Sequence, residues 1–215
     1  MYYIIIFFGS KPEVIIMFDY ILYGVYIILG LILILFILYL MRTKIKIHRI
    51  YRQLRRIKDV YILKNYCINH TKMKYVLVTL KGLFIVNLIN EKGIIFGSDF
   101  DKKYTIARGD KKKKIESPTL TTKDYANDLN EVCVSLGYQN IPIFIGVIYT
   151  KADTSYVSSS YQFKNGKQIR KKLRFEIAKS LEKEVLIELF NDLKNKQLKE
   201  KDIEIVYDDS RYNER

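Results

Sequence analysis

Residues 20–41 contain no ionisable acid, no base and no proline, only Ile, Leu, Val, Phe, Tyr, Met and Gly. As a helix rising about 1.5 Å per residue, this stretch matches the roughly 30 Å hydrocarbon core of a bilayer. A buried helix of a soluble domain rarely runs so long without a polar face. A cleaved signal peptide wants a positive start, a shorter apolar core and a small-residue cleavage motif, and none of these is here. The expectation is one transmembrane helix over 20–41, preceded by an N-terminal segment, 1–19, whose apolar run at 2–8 is too short to span.

Charge sets the orientation. The chain of 215 residues has a formal charge of +14, yet residues 1–41 hold only Lys11, Glu13 and Asp19. Directly after the apolar run come Arg42, Lys44, Lys46, Arg49, Arg52, Arg55, Arg56 and Lys58, with no acid between Asp19 and Asp59. Basic residues flanking a span stay on the cytoplasmic side, so the expected location is the cell membrane, single-pass, with the C-terminal domain cytoplasmic. Within 42–58, Ile47, Ile50, Leu54 and Ile57 form a helical stripe, making this stretch a juxtamembrane or first domain helix. Its basic face suits anionic headgroups, and the same charges would suit a nucleic-acid backbone.

The remaining length fits one domain of ordinary size, which excludes a multidomain enzyme. At 49% hydrophobic and 28% charged residues, the chain is too apolar for disorder and too charged for a polytopic membrane protein. Cys67 and Cys133 suggest no disulfide scaffold, and with only His48 and His70 beside them they make no Cys/His zinc motif.

The cytosolic part alternates element types. Strands are expected at 60–66, 75–80 and 83–89, the last two joined at Lys81-Gly82 as a tight hairpin. A further strand at 94–96 should follow a turn Asn90-Glu91-Lys92-Gly93. Residues 103–107 and 112–115 flank Arg108-Gly109-Asp110-Lys111, another hairpin signal. Ser117-Pro118 reads as a break, followed by a helix over 122–136 closed by Gly137. The apolar run 142–149 fits a strand buried on both faces in mid-sheet. A hairpin is expected at Asn165-Gly166, a short strand at 173–177, and a helix from Ser180 to about 196 with Leu181, Val185, Leu189, Phe190 and Leu193 on one face. The charged tail 197–215 holds a weak strand signal at 203–207. The fold class is α/β, a mixed central sheet flanked by helices.

Part of this chain resembles a known family. Tyr61-Ile62-Leu63-Lys64-Asn65, Val76-Leu77-Val78, Gly82-Leu83-Phe84-Ile85-Val86 and Lys92-Gly93 with Ile95-Phe96-Gly97-Ser98-Asp99 are similar to strands of the NERD (nuclease-related) domain. That family is placed in the restriction-endonuclease-like PD-(D/E)XK fold. The resemblance covers about 48–196 in element order, is specific over 82–99, and implies a NERD-like domain at 59–196. The family's catalytic positions are altered. Its Asp falls on Lys74, its Glu-x-Lys on Asn87-Leu88-Ile89, its Gln-Asn on Thr121-Thr122, and its first-helix glutamate has no counterpart.

Phosphodiester hydrolysis of this kind needs carboxylates on neighbouring strands to hold a hard divalent cation. Residues 73–89 contain no Asp or Glu. The expectation is therefore a catalytically degenerate, membrane-anchored binding or scaffold module, a pseudoenzyme, with no catalytic, cofactor-binding or metal residues. Two alternatives stand beside it. One is an active nuclease with a relocated Mg²⁺ or Mn²⁺ site built from Glu91, Asp99 or Asp101, although turn carboxylates more often cap. The other is a non-catalytic DNA- or RNA-binding domain, using Lys111, Lys112, Lys113 and Lys114 together with Arg170, Lys171, Lys172 and Arg174. The expected partners are the membrane and a nucleic acid or a protein.

Overall fold

The computed structural model describes residues 12–68, 71–175 and 180–212. Residues 1–11, 176–179 and 213–215 lie outside them, as do Asn69 and His70, two of the three residues of an Asn-x-Thr glycosylation sequence, Asn69-His70-Thr71. The chain divides into two compact units, Met1–Ile45 and Lys46–Arg215.

The first unit consists of most of helix α1 (Pro12–Leu54). Within α1, Leu22–Leu54 is the one helix among the described residues long and apolar enough to cross a membrane, an 18-residue window of it having a mean hydropathy of 2.8. Its Ile, Leu, Phe and Tyr side chains are exposed from Leu22 to Met41. In water, each would expose apolar area worth roughly 25 cal/mol per Å².

The second unit is built on a six-stranded mixed sheet. Strands β1 (Val60–Ile68), β2 (Thr71–Thr79) and β3 (Gly82–Ser98) form an antiparallel meander. β4 (Lys103–Arg108) and β5 (Lys111–Glu116) extend it, β4 pairing with the far end of β3. After helix α2 (Pro118–Ser135), strand β6 (Ile143–Ser158) returns parallel to β3 along almost its whole length. Helices α3 (Gly166–Phe175) and α4 (Lys183–Tyr212) complete the order.

Two apolar layers sandwich the sheet. On one face Leu63, Val76, Val78, Leu83, Ile85 and Ile145 pack against Leu129, Val132 and Cys133 of α2 and Leu186, Leu189 and Leu193 of α4. On the other, Tyr75, Leu77, Phe84 and Val86 meet Ile50 and Leu54 of α1 and Ile169 and Leu173 of α3. A third cluster, Ile95, Tyr104, Ile106, Val147 and Tyr149, fills the β3–β4–β6 junction.

Several sequence expectations are corrected. Asn90-Glu91-Lys92-Gly93 is not a turn between strands; β3 runs straight through it, with a bulge between Ile89 and Lys92 in its register with β6. Thr150 Oγ1 donates to Asn90 Oδ1 at 2.9 Å there. Gly93 sits at φ +110° with Ala107 O where a Cβ would stand, so the residue that suggested a turn serves a close strand crossing instead. Ser117-Pro118 does not break the chain but starts α2, with Ser117 as N-cap and Pro118 in the first turn. Asn165-Gly166 is no hairpin: Asn165 Oδ1 accepts from Lys167 N at 3.0 Å and Gln168 N at 3.2 Å, capping α3.

The expected strand at 173–177 is the end of α3 as far as Phe175, its last two residues lying outside the described set. The strand signal at 203–207 lies within α4. Finally, 142–149 is not in mid-sheet. β3 is the central strand, and the other edge of β6 meets the 161–163 segment through a single bridge, Val147 to Gln162.

Candidate functional site

Of the positions that the family resemblance marks, Asn87 and Thr122 meet where β3 and the start of α2 come together. Tyr75 pairs with Val86, so Lys74 and Asn87 fall one residue beyond the last registered pair of β2 and β3. Side chains alternate along β3, putting Leu83 and Ile85 on the α2/α4 face and Phe84 and Val86 on the other. Asn87 continues the first set and reaches α2. Its Nδ2 donates to Thr122 Oγ1 at 3.0 Å, while that hydroxyl donates to Pro118 O at 2.6 Å. Thr122 is fully buried. One hydroxyl thus gives its proton to the helix backbone and takes one from the strand, leaving neither Oγ1 nor Nδ2 idle.

Lys74 belongs to a different local feature. β1 twists at Asn65, whose φ of +48° coincides with a gap in the register between Lys64–Tyr75 and Tyr66–Met73. Lys74 Nζ donates to Asn65 Oδ1 at 2.8 Å across that gap. Ile89 packs against the Ile95–Tyr104 cluster, and Thr121 Oγ1 donates to Ser117 O at 3.1 Å, back along its own helix. An ammonium, an amide, an alkyl group and two hydroxyls therefore occupy the places where the family has two carboxylates, a lysine and Gln-Asn. Such a set has no formal negative charge to offer a hard divalent cation and no base to activate water.

The three acids considered for a relocated site are separately engaged. Glu91 accepts from Arg108 at 2.9 Å and lies 3.6 Å from Lys113 Nζ. Asp101 Oδ2 accepts from Ser98 N at 2.7 Å and Ser98 Oγ at 2.8 Å, closing the β3–β4 turn. Asp99 Oδ2 accepts from Ser160 N at 2.9 Å and Ser160 Oγ at 3.0 Å. Among the described residues no group of three or more His, Cys, Asp or Glu is placed to hold a metal ion.

Asp99 also belongs to a hydroxyl cluster that the sequence did not reveal. Its Oδ1 is shielded from solvent without a hydrogen bond of normal geometry. Around it, Thr119 Oγ1 lies 3.4 Å from both Tyr104 Oη and Ser159 Oγ. Burial pushes the Asp99 carboxyl up, but Ser159, Ser160 and Thr119 outweigh this and hold it below its usual range. Burial, and then the nearby Tyr104 and Asp99, push the Tyr149 hydroxyl up, so it stays protonated. The parallel pairing of Ser98 with Ser158 brings the 158–160 serines to Asp99. The serine run was visible in sequence, but its strand partner was not.

The two basic clusters sit on separate elements. Lys111, Lys112, Lys113 and Lys114 are exposed along the edge strand β5. Arg170, Lys171, Lys172 and Arg174 belong to α3, where Lys172 Nζ lies 5.6 Å from the Phe163 ring centre. No family model matches the chain, and neither a curated protein nor a solved structure matches it.

Proposed function

We propose that the chain is a single-pass membrane protein whose Lys46–Arg215 unit carries a divergent NERD-like domain over 59–196, without catalysis, that acts in the cytoplasm as a binding or scaffold module. The observation that carries this reading is the Asn87–Thr122 hydrogen bond, at 3.0 Å. It joins two positions that a working nuclease of this family would fill with metal- and substrate-handling groups, and it satisfies them with each other. The element order supports the kinship: a helix, a three-stranded meander, a hairpin, a helix, then a strand parallel to the third. The apolar helix and the basic residues after it support the anchor and its orientation. The bound partner is a nucleic acid or a protein close to the membrane.

The test uses the purified full chain in lipid nanodiscs. With Mg²⁺ or Mn²⁺ present, the expected outcome is intact DNA and RNA, and calorimetry with Mn²⁺ should show no heat of binding. Restoring the family's groups as K74D/N87E/I89K should produce measurable Mn²⁺ binding. Metal-dependent cleavage by the unaltered chain, abolished by Asp99→Ala, would overturn the proposal and leave the relocated-site nuclease standing.

A further inference from the structure

Beyond the registered core, β3, β4, β5 and the second half of β6 form an extension with one covered and one bare face. Registered partners project to the same side of a sheet. Ile95 and Ile106 are paired and buried. The neighbouring rows, Ile94–Ala107–Lys112 and Phe96–Thr105–Lys114, project to the other side. There Phe96 stacks on Tyr156 with ring centres 4.9 Å apart. Tyr156 is 61% exposed and Phe96 39%, and Phe100, in the turn after β3, is 95% exposed.

The charge of this face is net positive: Lys92, Lys103, Lys112, Lys114 and Lys151 lie in its rows against Asp153 and Glu116. Lys112 and Lys114 make no ion pair among the described residues. Of its two carboxylates, Asp153 accepts from Ser155 N at 3.0 Å and Ser155 Oγ at 2.6 Å, which fixes it in place without cancelling its charge. Chain connectivity adds a second argument. Lys46 Nζ donates to Tyr149 O at 3.3 Å and Thr150 O at 2.6 Å, where β6 enters the extension. In sequence Lys46 follows closely on Met41, at the end of the apolar run. A tether this short gives a surface on the extension a high effective concentration of bilayer.

We infer that the bare face of the extension docks on the anionic leaflet of the membrane to which α1 anchors the chain. Phe100, Phe96 and Tyr156 enter the headgroup layer, where aromatic rings partition, and Lys112 and Lys114 meet lipid phosphates. The inference rests on the reading of α1 as a span. A single-stranded nucleic acid would also use stacked rings beside lysines. Phe100 favours the lipid, since it has no polar handle and, among the described residues, no ring stacked on it.

The chain contains no tryptophan, so Phe100→Trp gives a single reporter at an exposed site. The full-length variant would be reconstituted in phosphatidylcholine vesicles with and without phosphatidylglycerol, using brominated acyl chains as quencher. A Val134→Trp chain serves as the reference, its site being half-exposed on α2. The expected result is emission at shorter wavelength and several-fold stronger quenching for the Phe100→Trp chain in anionic vesicles. Both effects should weaken in K112E/K114E, and in 1 M salt, where the Debye length falls to about 3 Å.

Quenching no stronger than in the Val134→Trp chain would overturn the inference. So would emission that shifts with a single-stranded oligonucleotide and is indifferent to lipid composition. Carbonate extraction separates the two premises. A chain washed out of the vesicles defeats the span itself, whereas one that is retained but unquenched defeats only the docking.

Discussion

Thr122 shows how a single hydroxyl can hold two elements together. It links β3 through Asn87 and the first turn of α2 through Pro118, and it is fully buried. Thr122→Val keeps the shape but leaves the Asn87 amide without its acceptor, and an unsatisfied buried polar group costs about 1–3 kcal/mol. Urea unfolding should show a loss of that size, and N87V/T122V should lose less than the two single changes together, because they share one bond. Cys133 makes a different residue-scale prediction. Burial pushes its thiol from 9.0 up to about 11. Between those values the unfolded chain releases the proton and the folded one keeps it, so stability must fall as pH rises above about 9, by up to about 1.4 kcal/mol per unit. Cys133→Val should flatten the limb from pH 9 to 10 in a pH series of urea midpoints. In the native chain at pH 8, half-exposed Cys67 should be alkylated well before Cys133.

At the scale of elements, α2 ends by geometry that its sequence announces. Gly137 sits at φ +91°, Tyr138 N donates to Cys133 O at 2.9 Å, and Gly137 N donates to Val134 O at 3.0 Å. These are the paired bonds of a Schellman closure. Gly137→Ala should therefore cost about 1 kcal/mol in urea unfolding through backbone strain alone, since no atom lies within 4 Å of the added methyl. The start of α2 was harder to read. Ser-Pro and Asn-Gly are signals for turns and for helix starts alike, and tertiary pairing decides between them. The same ambiguity hid the continuity of β3. Asn90-Glu91-Lys92-Gly93 has turn chemistry, yet β6 lies alongside and carries the strand across it. The strands over 60–89 and 103–116 were legible because their Val, Ile, Leu and Phe content and the glycine turns between them are local signals. Which strand neighbours which was not, and the meeting of Asn87 with Thr122 and of Asp99 with Ser160 depends on that.

For the whole molecule, the consequential boundary is the one between the apolar run and the sheet-bearing unit. Its compact body begins at Lys46, so the last turns of α1 belong to it. Ile50 is 2% exposed and Leu54 0%, both packed with Leu77 and Phe84, and Gln53 Oε1 accepts from Gly166 N at 3.0 Å. Burying two such side chains contributes roughly 3–6 kcal/mol, a large share of the roughly 5–15 kcal/mol that keeps a domain folded. A fragment of residues 46–215 should therefore unfold in one cooperative urea transition. One of residues 59–215 should lose at least about 3 kcal/mol and expose Tyr75, Leu77 and Phe84 to a hydrophobic dye. If the two fragments share a midpoint, the α1 turns contribute nothing to the fold, and the basic residues 42–58 are free to serve only the membrane. If they differ as expected, this stretch has two duties on opposite sides of one helix: apolar side chains that complete the core, and Arg49, Arg52, Arg55 and Arg56 that stay in solvent. Neutralising those arginines to glutamine should then leave the stability of the 46–215 fragment within about 0.5 kcal/mol of its starting value, because exposed side chains contribute little, even with Arg55 set 6.0 Å from the Tyr51 ring centre. On the proposed orientation, the same change in the full chain should place a fraction of the C-terminal domains on the opposite side of the membrane, read by protease protection in sealed vesicles.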